Sequence, residues 1–128
     1  MDKEWEDVRR FHEKFHHPVG EHPQGMEAER AQKRYNWMLE EINEFMEAVK
    51  DKDIVEQADA MIDVIYFALG TLVEMGIKPD KLFQIVQEAN MSKLWEDGQP
   101  HYAKDGKTIK PHTWKDPHEE LRAAIYAQ

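Results

Sequence analysis

The sequence predicts an all-α protein, a four-helix-type bundle with a C-terminal loop or hairpin and a short terminal helix. Two observations support this prediction. Apolar residues recur at helical spacing in four successive segments, and clusters of Pro, Gly or charged residues separate those segments, whereas alternating strand patterns are scarce. The 128 residues, 41% apolar and 34% charged, are expected to form one helical domain spanning 1–128 with a modest core.

The first three predicted helices differ in the distribution of their apolar residues. Helices over 2–16 and 27–50 each have one apolar stripe, as in Trp5, Val8 and Phe11 of the first. The third, over 53–75, has apolar residues around almost its whole circumference and stops at Gly76. A helix that is apolar on every side is typical of a central, buried position.

The elements predicted after the third helix are shorter. The stretch "KPD" at 78–80 predicts the start of a fourth helix. The following "EDGQPHYAKDGKTIKPHTWKDP" contains two Asp-Gly turns and three prolines, which indicates an ordered loop or a small hairpin. "HEELRAAIYA" predicts the short terminal helix.

Composition excludes several functional classes. The chain has no cysteine, so it has no disulfide framework, thiolate metal site or cysteine nucleophile. Its net charge of −9 argues against polymeric nucleic acid as a partner, and it permits a polyphosphate substrate only if metal ions screen the repulsion. No apolar run has the length of a membrane span, and no secretory signal is visible, so a cytoplasmic location is expected.

The early stretch "HEKFH" at 12–16 matches the H-E-x-x-H pattern of zinc metalloproteases. On a helix this pattern would place His12 and His16 one turn apart, with Glu13 as a general base. However, their helical face also carries apolar residues, and a third ligand would have to come from elsewhere. Packing at a bundle interface or lining of a base pocket is the favoured role for both histidines.

Acidic residues recur at helical spacing on the second and third predicted helices, and two of them lie within an apolar segment. Glu41 and Glu44 lie about 60° apart on one edge of the second helix, and Glu56, Asp59 and Asp63 fall within an arc of about 60° on the third. Asp59 and Asp63 stand inside an apolar run, where an unpaired charge is costly.

Three arrangements could offset this cost: basic partners, protonation or bound divalent cations. The third helix has no Lys, Arg or His after Lys52, and protonation of four or five acids at pH 7 is implausible. Two antiparallel helices would aim the carboxylates at one point, and oxygen ligands without sulfur or imidazole suit Mg²⁺ or Mn²⁺. Asp63 is either a fifth ligand or an acceptor that orients a Lys or Asn, whereas Glu40 and Glu47 are interpreted as surface acids.

With these motifs, Glu41-Ile-Asn-Glu44 and Glu56-Gln-Ala-Asp59, the sequence resembles the all-α nucleoside triphosphate pyrophosphohydrolases, the MazG-like superfamily. That superfamily also holds dimeric dUTPases, dCTP pyrophosphatases and phosphoribosyl-ATP pyrophosphohydrolase. "FHEKFHHP", "DVIYFALGTLVEMGI" and "EANMSKLWEDGQPHYAKDGKTIKP" are similar to further family segments, although Ala89 replaces a serine. The resemblance covers about residues 8–117.

The resemblance implies a Mg²⁺-dependent hydrolase, with Mn²⁺ as a substitute, that converts a nucleoside triphosphate to the monophosphate and pyrophosphate. It implies a homodimer or homotetramer. The metal ligands would be Glu41, Glu44, Glu56 and Asp59, and either Glu41 or Glu44 would accept the proton of the attacking water. Asn90 and Lys93 would contact sugar and phosphate. Lys107 and Lys110 would add positive charge near the leaving pyrophosphate, and Tyr102, Trp37 and His16 are candidates to stack on the base.

Three alternatives remain open from the sequence. The chain could hydrolyse phosphoribosyl-ATP or another phosphoanhydride, or it could be a non-catalytic helical interaction module that binds metal. Oxidative di-iron chemistry is a third, but such bundles use Glu-x-x-His pairs, and neither the second nor the third helix contains one.

Overall fold

The computed structural model describes residues 1–128 and confirms the all-α prediction. It contains five helices and one two-stranded hairpin, with these bounds: α1 Asp2–Lys14, α2 Ala28–Lys50, α3 Ile54–Met75, α4 Asp80–Met91, β1 His101–Tyr102, β2 Thr108–Ile109 and α5 His118–Tyr126. The chain divides into two compact units, Met1–Pro79 and Asp80–Gln128. The single-domain assignment therefore stays a prediction, and each unit is described by itself.

In the first unit, α1 and α2 both pack against α3. The core consists of Trp5 and Val8 from α1 against Leu69 and Val73 from α3. Local signals set the ends of α3, since the Asp53 side chain accepts a hydrogen bond from the backbone of Glu56 and Gly76 adopts the left-handed conformation with φ 71°. Only residues 51–53 separate α2 from α3, so the two helices run antiparallel.

The expected burial of α3 on every side is wrong for this unit. Val55 is 71% exposed, Ile62 60% and Ile65 48%. The reason is that only α1 and α2 cover α3 within the unit. Apolar residues of α2 are also exposed, including Ile42 at 44% and Met46 at 52%.

The second unit combines α4, the hairpin and α5. β1 and β2 pair antiparallel, with His101 opposite Ile109 and Tyr102 opposite Thr108. The Asp-Gly turns predicted from the sequence bring Gly98 and Gly106 to positive φ, where a Cβ would be strained. The indole Nε1 of Trp114 donates to the Ala89 carbonyl at 2.8 Å, which ties the loop to α4.

No single helix of the chain is long and apolar enough to cross a membrane. The consecutive helices Ile54–Met75 and Asp80–Met91 have sufficient length and apolar composition only when they are taken together, as a bent pair.

Candidate active site

Three carboxyl groups meet between α2 and α3. Glu41 is partly buried, and its Oε2 is shielded from solvent without any hydrogen-bond partner. The neighbours of this carboxyl group are the side chains of Glu44, one turn further along α2, and Asp63 on α3. Ionised carboxylates only accept hydrogen bonds, so the three acids can bond to one another only if one of them holds a proton.

The surroundings of Glu41 raise its pKa. Burial is the largest cause, followed by the hydrogen bond with Glu44 and the charge of Asp63, and together they raise the pKa of Glu41 from 4.5 to about 7. A carboxyl group with this pKa is half protonated at neutral pH, whereas an ordinary surface glutamate is ionised. The shift arises from burial and from neighbouring acids, and not from a basic partner.

A pocket of about 320 Å³ brings together residues of both acidic motifs. Glu44 of the first motif and Glu56 of the second line it. Glu47, Asp51 and Asp53 also line it, so its wall is strongly acidic. Glu44 thus belongs to both the carboxyl cluster and the pocket, whereas Asp59 is an exposed residue of α3 that lines neither.

The side chains are not arranged as a metal cage. No group of three or more His, Asp or Glu residues stands in a geometry that could hold a metal ion. The residues nevertheless fit a hard cation, because the buried Oε2 of Glu41 has no donor and its neighbours are oxygen ligands. The ligand set of Glu41, Glu44, Glu56, Asp59 and Asp63 stays a prediction.

The "HEKFH" stretch does not form the predicted helical pair. α1 ends at Lys14, and His16 lies beyond it, exposed and at φ 60°, so the expectation of one helix through residue 16 is wrong. His12 is 3% exposed and its Nδ1 donates to the Pro18 carbonyl at 2.8 Å. Glu13 is exposed and pairs with Arg9 at 3.4 Å. These positions do not support a zinc site of the protease type.

Trp37 is on α2, one helical turn before Glu41. It packs against Phe67 of α3 with ring centroids 6.0 Å apart. The guanidinium groups of Arg30 and Arg34 stand over its ring at 5.2 and 5.7 Å. The indole therefore already contacts one aromatic ring and two guanidinium groups of the protein, and its role in stacking on a base stays a prediction.

The remaining residues proposed for substrate binding belong to the second unit. They are Asn90, Lys93, Tyr102, Lys107 and Lys110. Asn90 is in the last turn of α4, where its carbonyl accepts from the backbone of Lys93. Tyr102 is 61% exposed on the hairpin, and the Lys110 ammonium stands 4.3 Å above the Trp114 ring. Their contacts with a substrate stay predictions.

Sequence reasoning missed a buried ionic network at the other end of the α2–α3 interface. Glu74 is 5% exposed and Arg34 3%. Arg30 holds both oxygens of Glu74, through Nε at 2.9 Å and Nη2 at 3.0 Å, and Arg34 Nη1 donates to Oε2 at 2.6 Å. Arg34 also donates to the Thr71 hydroxyl at 2.8 Å and to the Phe67 carbonyl at 3.0 Å. A charged residue within the apolar α3 sequence was the available signal.

The network contains one neutral and several charged groups. Burial raises the pKa of Glu74, but the hydrogen bonds of Arg30 and the charge of Arg34 outweigh it, so this pKa lies below its ordinary value. Burial lowers the pKa of His12 despite its bond to Pro18. His12 is therefore neutral at pH 7, with the proton on the Nδ1 that faces the carbonyl.

Comparison with known proteins identifies a family whose model spans both acidic helices. The model of the phosphoribosyl-ATP pyrophosphohydrolase family matches residues 8–90. The crystal structure of a "putative NTP pyrophosphohydrolase" from Exiguobacterium sp. 255-15 is similar, with 34% identity and a TM-score of 0.56. The match covers 98% of this chain and 95% of that one. A search of curated proteins finds no match.

Proposed function

Because this chain belongs to the phosphoribosyl-ATP pyrophosphohydrolase family and is thus a hydrolase acting on phosphoanhydrides, we propose that it is a Mg²⁺-dependent nucleoside triphosphate pyrophosphohydrolase. In this proposal it converts an NTP or dNTP and water to the monophosphate and pyrophosphate. Its biological role would be the removal of unwanted nucleotides from the pool. Because the family is a family of hydrolases, we set aside the alternative of a non-catalytic helical interaction module.

The observation that carries the proposal is the uncompensated carboxyl cluster. The carboxyl group of Glu41 faces those of Glu44 and Asp63, and its buried Oε2 has no donor. Such an arrangement costs free energy in the isolated protein, and a divalent cation is the natural partner that would recover it. The acidic pocket lined by Glu44 and Glu56 extends the cluster toward the second motif.

In the proposed site, Glu41, Glu44, Glu56 and Asp59 would hold the metal, and Asp63 would be a fifth ligand or would orient a neighbour. Mg²⁺ bound there would neutralise phosphate charge and lower the pKa of the attacking water. Either Glu41 or Glu44 would accept the proton of the attacking water. The other would then act chiefly as a ligand.

Further residues are proposed to bind the nucleotide itself. Asn90 and Lys93 would contact sugar and phosphate, and Lys107 and Lys110 would favour the leaving pyrophosphate. Tyr102, His16 and Trp37 remain the candidates for the base. The net charge of −9 makes such cationic groups and the metal necessary for an anionic substrate.

A second candidate substrate follows from the family description. Phosphoribosyl-ATP has the same triphosphate and would be cleaved to pyrophosphate by the same chemistry. The two candidates differ in the groups that extend from the base, whereas the carboxyl cluster would act on the triphosphate that they share. A direct comparison of substrates is therefore required.

We also propose that the chain acts as a homodimer or homotetramer. The support is the exposed apolar surface of α2 and α3, which includes Met46, Val55 and Ile62 at 52%, 71% and 60% exposure. Apolar surface of this kind on neighbouring helices is typical of an interface. Light scattering with size-exclusion chromatography should give twice or four times the 15.2 kDa chain mass, and a monomer at micromolar concentration would contradict this.

The test of the activity is a product assay. The purified protein is incubated with a panel of NTPs, dNTPs and phosphoribosyl-ATP, with Mg²⁺, with Mn²⁺ and with EDTA. Monophosphate, diphosphate, pyrophosphate and phosphate are then resolved. Metal-dependent release of pyrophosphate from a nucleoside triphosphate is the expected result, and turnover of phosphoribosyl-ATP alone would select the second candidate.

Two variants make this assay specific for the proposed site. Glu44→Gln removes a ligand shared by the cluster and the pocket and should abolish turnover. Glu40→Gln is the matched control, because Glu40 is an exposed neighbour on the same helix. Equal turnover by both variants would refute the assignment of the site.

A further inference from the structure

The buried ionic network and the carboxyl cluster are built on the same two helices. Going along α2 from Arg34 to Ala48, the contact on α3 moves back from Thr71 to Gln57. Glu41 beside Asp63 is one step of this regular series. The alignment of the two helices at one end therefore determines which carboxyl groups meet in the middle.

A small error in this alignment would separate the acids. One residue of an α-helix corresponds to a rise of about 1.5 Å and a turn of about 100°, so a slip by one residue would carry Asp63 away from Glu41. Catalytic groups generally tolerate displacements of less than about 1 Å. The interface thus needs a contact that permits only one alignment.

Among the contacts across this interface, those of Arg34 involve the largest number of separate groups on α3, whereas Arg30 bonds to Glu74 alone on that helix. The three nitrogens of Arg34 donate to three different acceptors on α3: the Thr71 hydroxyl, the Phe67 carbonyl and the Glu74 carboxylate. The side chain is 3% exposed, so water cannot replace a lost partner easily. By comparison, Trp37 and Phe67 make an apolar ring contact, and the bond from Gln57 to the Ala48 carbonyl is long at 3.4 Å.

Gly70 of α3 leaves space for the Arg34 side chain. A Cβ at Gly70 would overlap Arg34 Nη2 and lie 2.8 Å from His12 Nε2. Glycine in the middle of a helix costs about 0.5–1 kcal/mol relative to alanine. Its presence at the level of the guanidinium is explained if close approach of Arg34 to the α3 backbone is required.

We propose that Arg34 is a positioning residue that fixes the lengthwise alignment of α2 against α3 and thereby holds Glu41 beside Asp63. The catalytic meaning of this alignment rests on the proposed function, whereas the alignment itself does not. Arg34 acts through the helices and does not contact substrate in this role. Both statements are testable separately.

The alignment can be measured without nucleotide or metal. The chain has no cysteine, so Glu41→Cys/Asp63→Cys gives a single pair whose rate of disulfide formation reports their proximity. This rate is compared in three backgrounds: native Arg34, Arg34→Lys, and Lys33→Met as the exposed neighbouring control. Lysine keeps the positive charge but cannot reach all three acceptors of the guanidinium.

The expected result is a rate at least about threefold lower with Arg34→Lys than with the control background, because the pair spends less time within disulfide geometry. A smaller change in a folded protein would overturn the inference. If Arg34→Lys does not fold, Arg34→Met is used instead, because it removes the contacts of Arg34 and leaves Glu74 paired with Arg30. The same threefold criterion then applies to this variant.

Activity provides the second readout. In the otherwise native protein, Arg34→Lys should lower kcat about tenfold, since it displaces the acids that are proposed to hold the metal and to accept the proton of water. Unchanged kcat in a folded variant would overturn the positioning role. If the native protein itself hydrolyses no nucleotide, the proposed function fails, and the disulfide rates still decide whether Arg34 sets the alignment.

Discussion

Replacement of Glu41 by glutamine should stabilise the metal-free protein above pH 7. In the native chain, burial, Glu44 and Asp63 raise the pKa of Glu41 from 4.5 to about 7. The folded state therefore binds a proton more tightly than the unfolded state between these pH values. The stability contributed by this proton is fully present below pH 4.5 and is lost as the pH rises through 7.

The size of this effect follows from the same two values. Each pH unit of difference in pKa corresponds to about 1.4 kcal/mol, so the range from 4.5 to about 7 gives at most about 3 kcal/mol. Glu41 is only partly buried and solvent screens its neighbours, which reduces the expected loss to about 1–2 kcal/mol. Glutamine has no charge to lose, so the free energy of unfolding of Glu41→Gln should lack this decline.

The assay is urea unfolding from pH 4.5 to 8.5 in EDTA, at one protein concentration because association affects apparent stability. Glu40→Gln is the control for a general change in charge. The two variants should have similar stability at pH 4.5, and Glu41→Gln should be more stable by about 1–2 kcal/mol at pH 8. A Glu41→Gln protein that follows the pH dependence of the control would show that the three acids do not repel one another.

Glu56→Gln or Asp59→Asn should abolish turnover and leave the fold intact, as judged by pyrophosphate release and circular dichroism; full activity in either variant would refute the ligand set. His12→Ala should lose about 2–4 kcal/mol of unfolding free energy, because it removes a buried ring and its bond to Pro18. It should still hydrolyse substrate, and complete loss of activity in the folded variant would reopen the zinc interpretation. Gly70→Ala should destabilise the protein by about 1–3 kcal/mol, although alanine favours helices, because its Cβ would displace Arg34; a rise in melting temperature would contradict this.

The helix ends were predictable because short-range chemistry sets them. Asp53 caps α3, Gly76 ends it, and the Asp-Gly pairs turn the chain at Gly98 and Gly106. The position of His16 was predicted wrongly, since nothing in "HEKFH" shows that the helix stops at Lys14. In each case the outcome depends on a few neighbouring residues.

Long-range partners were less accessible from the sequence. The helical phase placed Asp63 on the same arc of α3 as Glu56 and Asp59, but it did not show that Asp63 meets Glu41. The pairing of Arg34 with Glu74 joins positions 40 residues apart, and no motif marks either residue. Likewise, hydropathy showed that Ile62 belongs to an apolar surface but not which element covers it.

The short link at residues 51–53 has a consequence for how the protein folds. Contacts between α2 and α3 near this link close small loops, and such local contacts form early and at little entropic cost. Glu41 and Asp63 are nearer to the link than Arg34 and Glu74 are, so a growing helical hairpin meets the repelling acids before it reaches the attractive ion network. The folding barrier should thus contain the electrostatic repulsion of the carboxyl cluster but little of the compensating attraction, which makes the speed of folding, and not only the final stability, sensitive to pH.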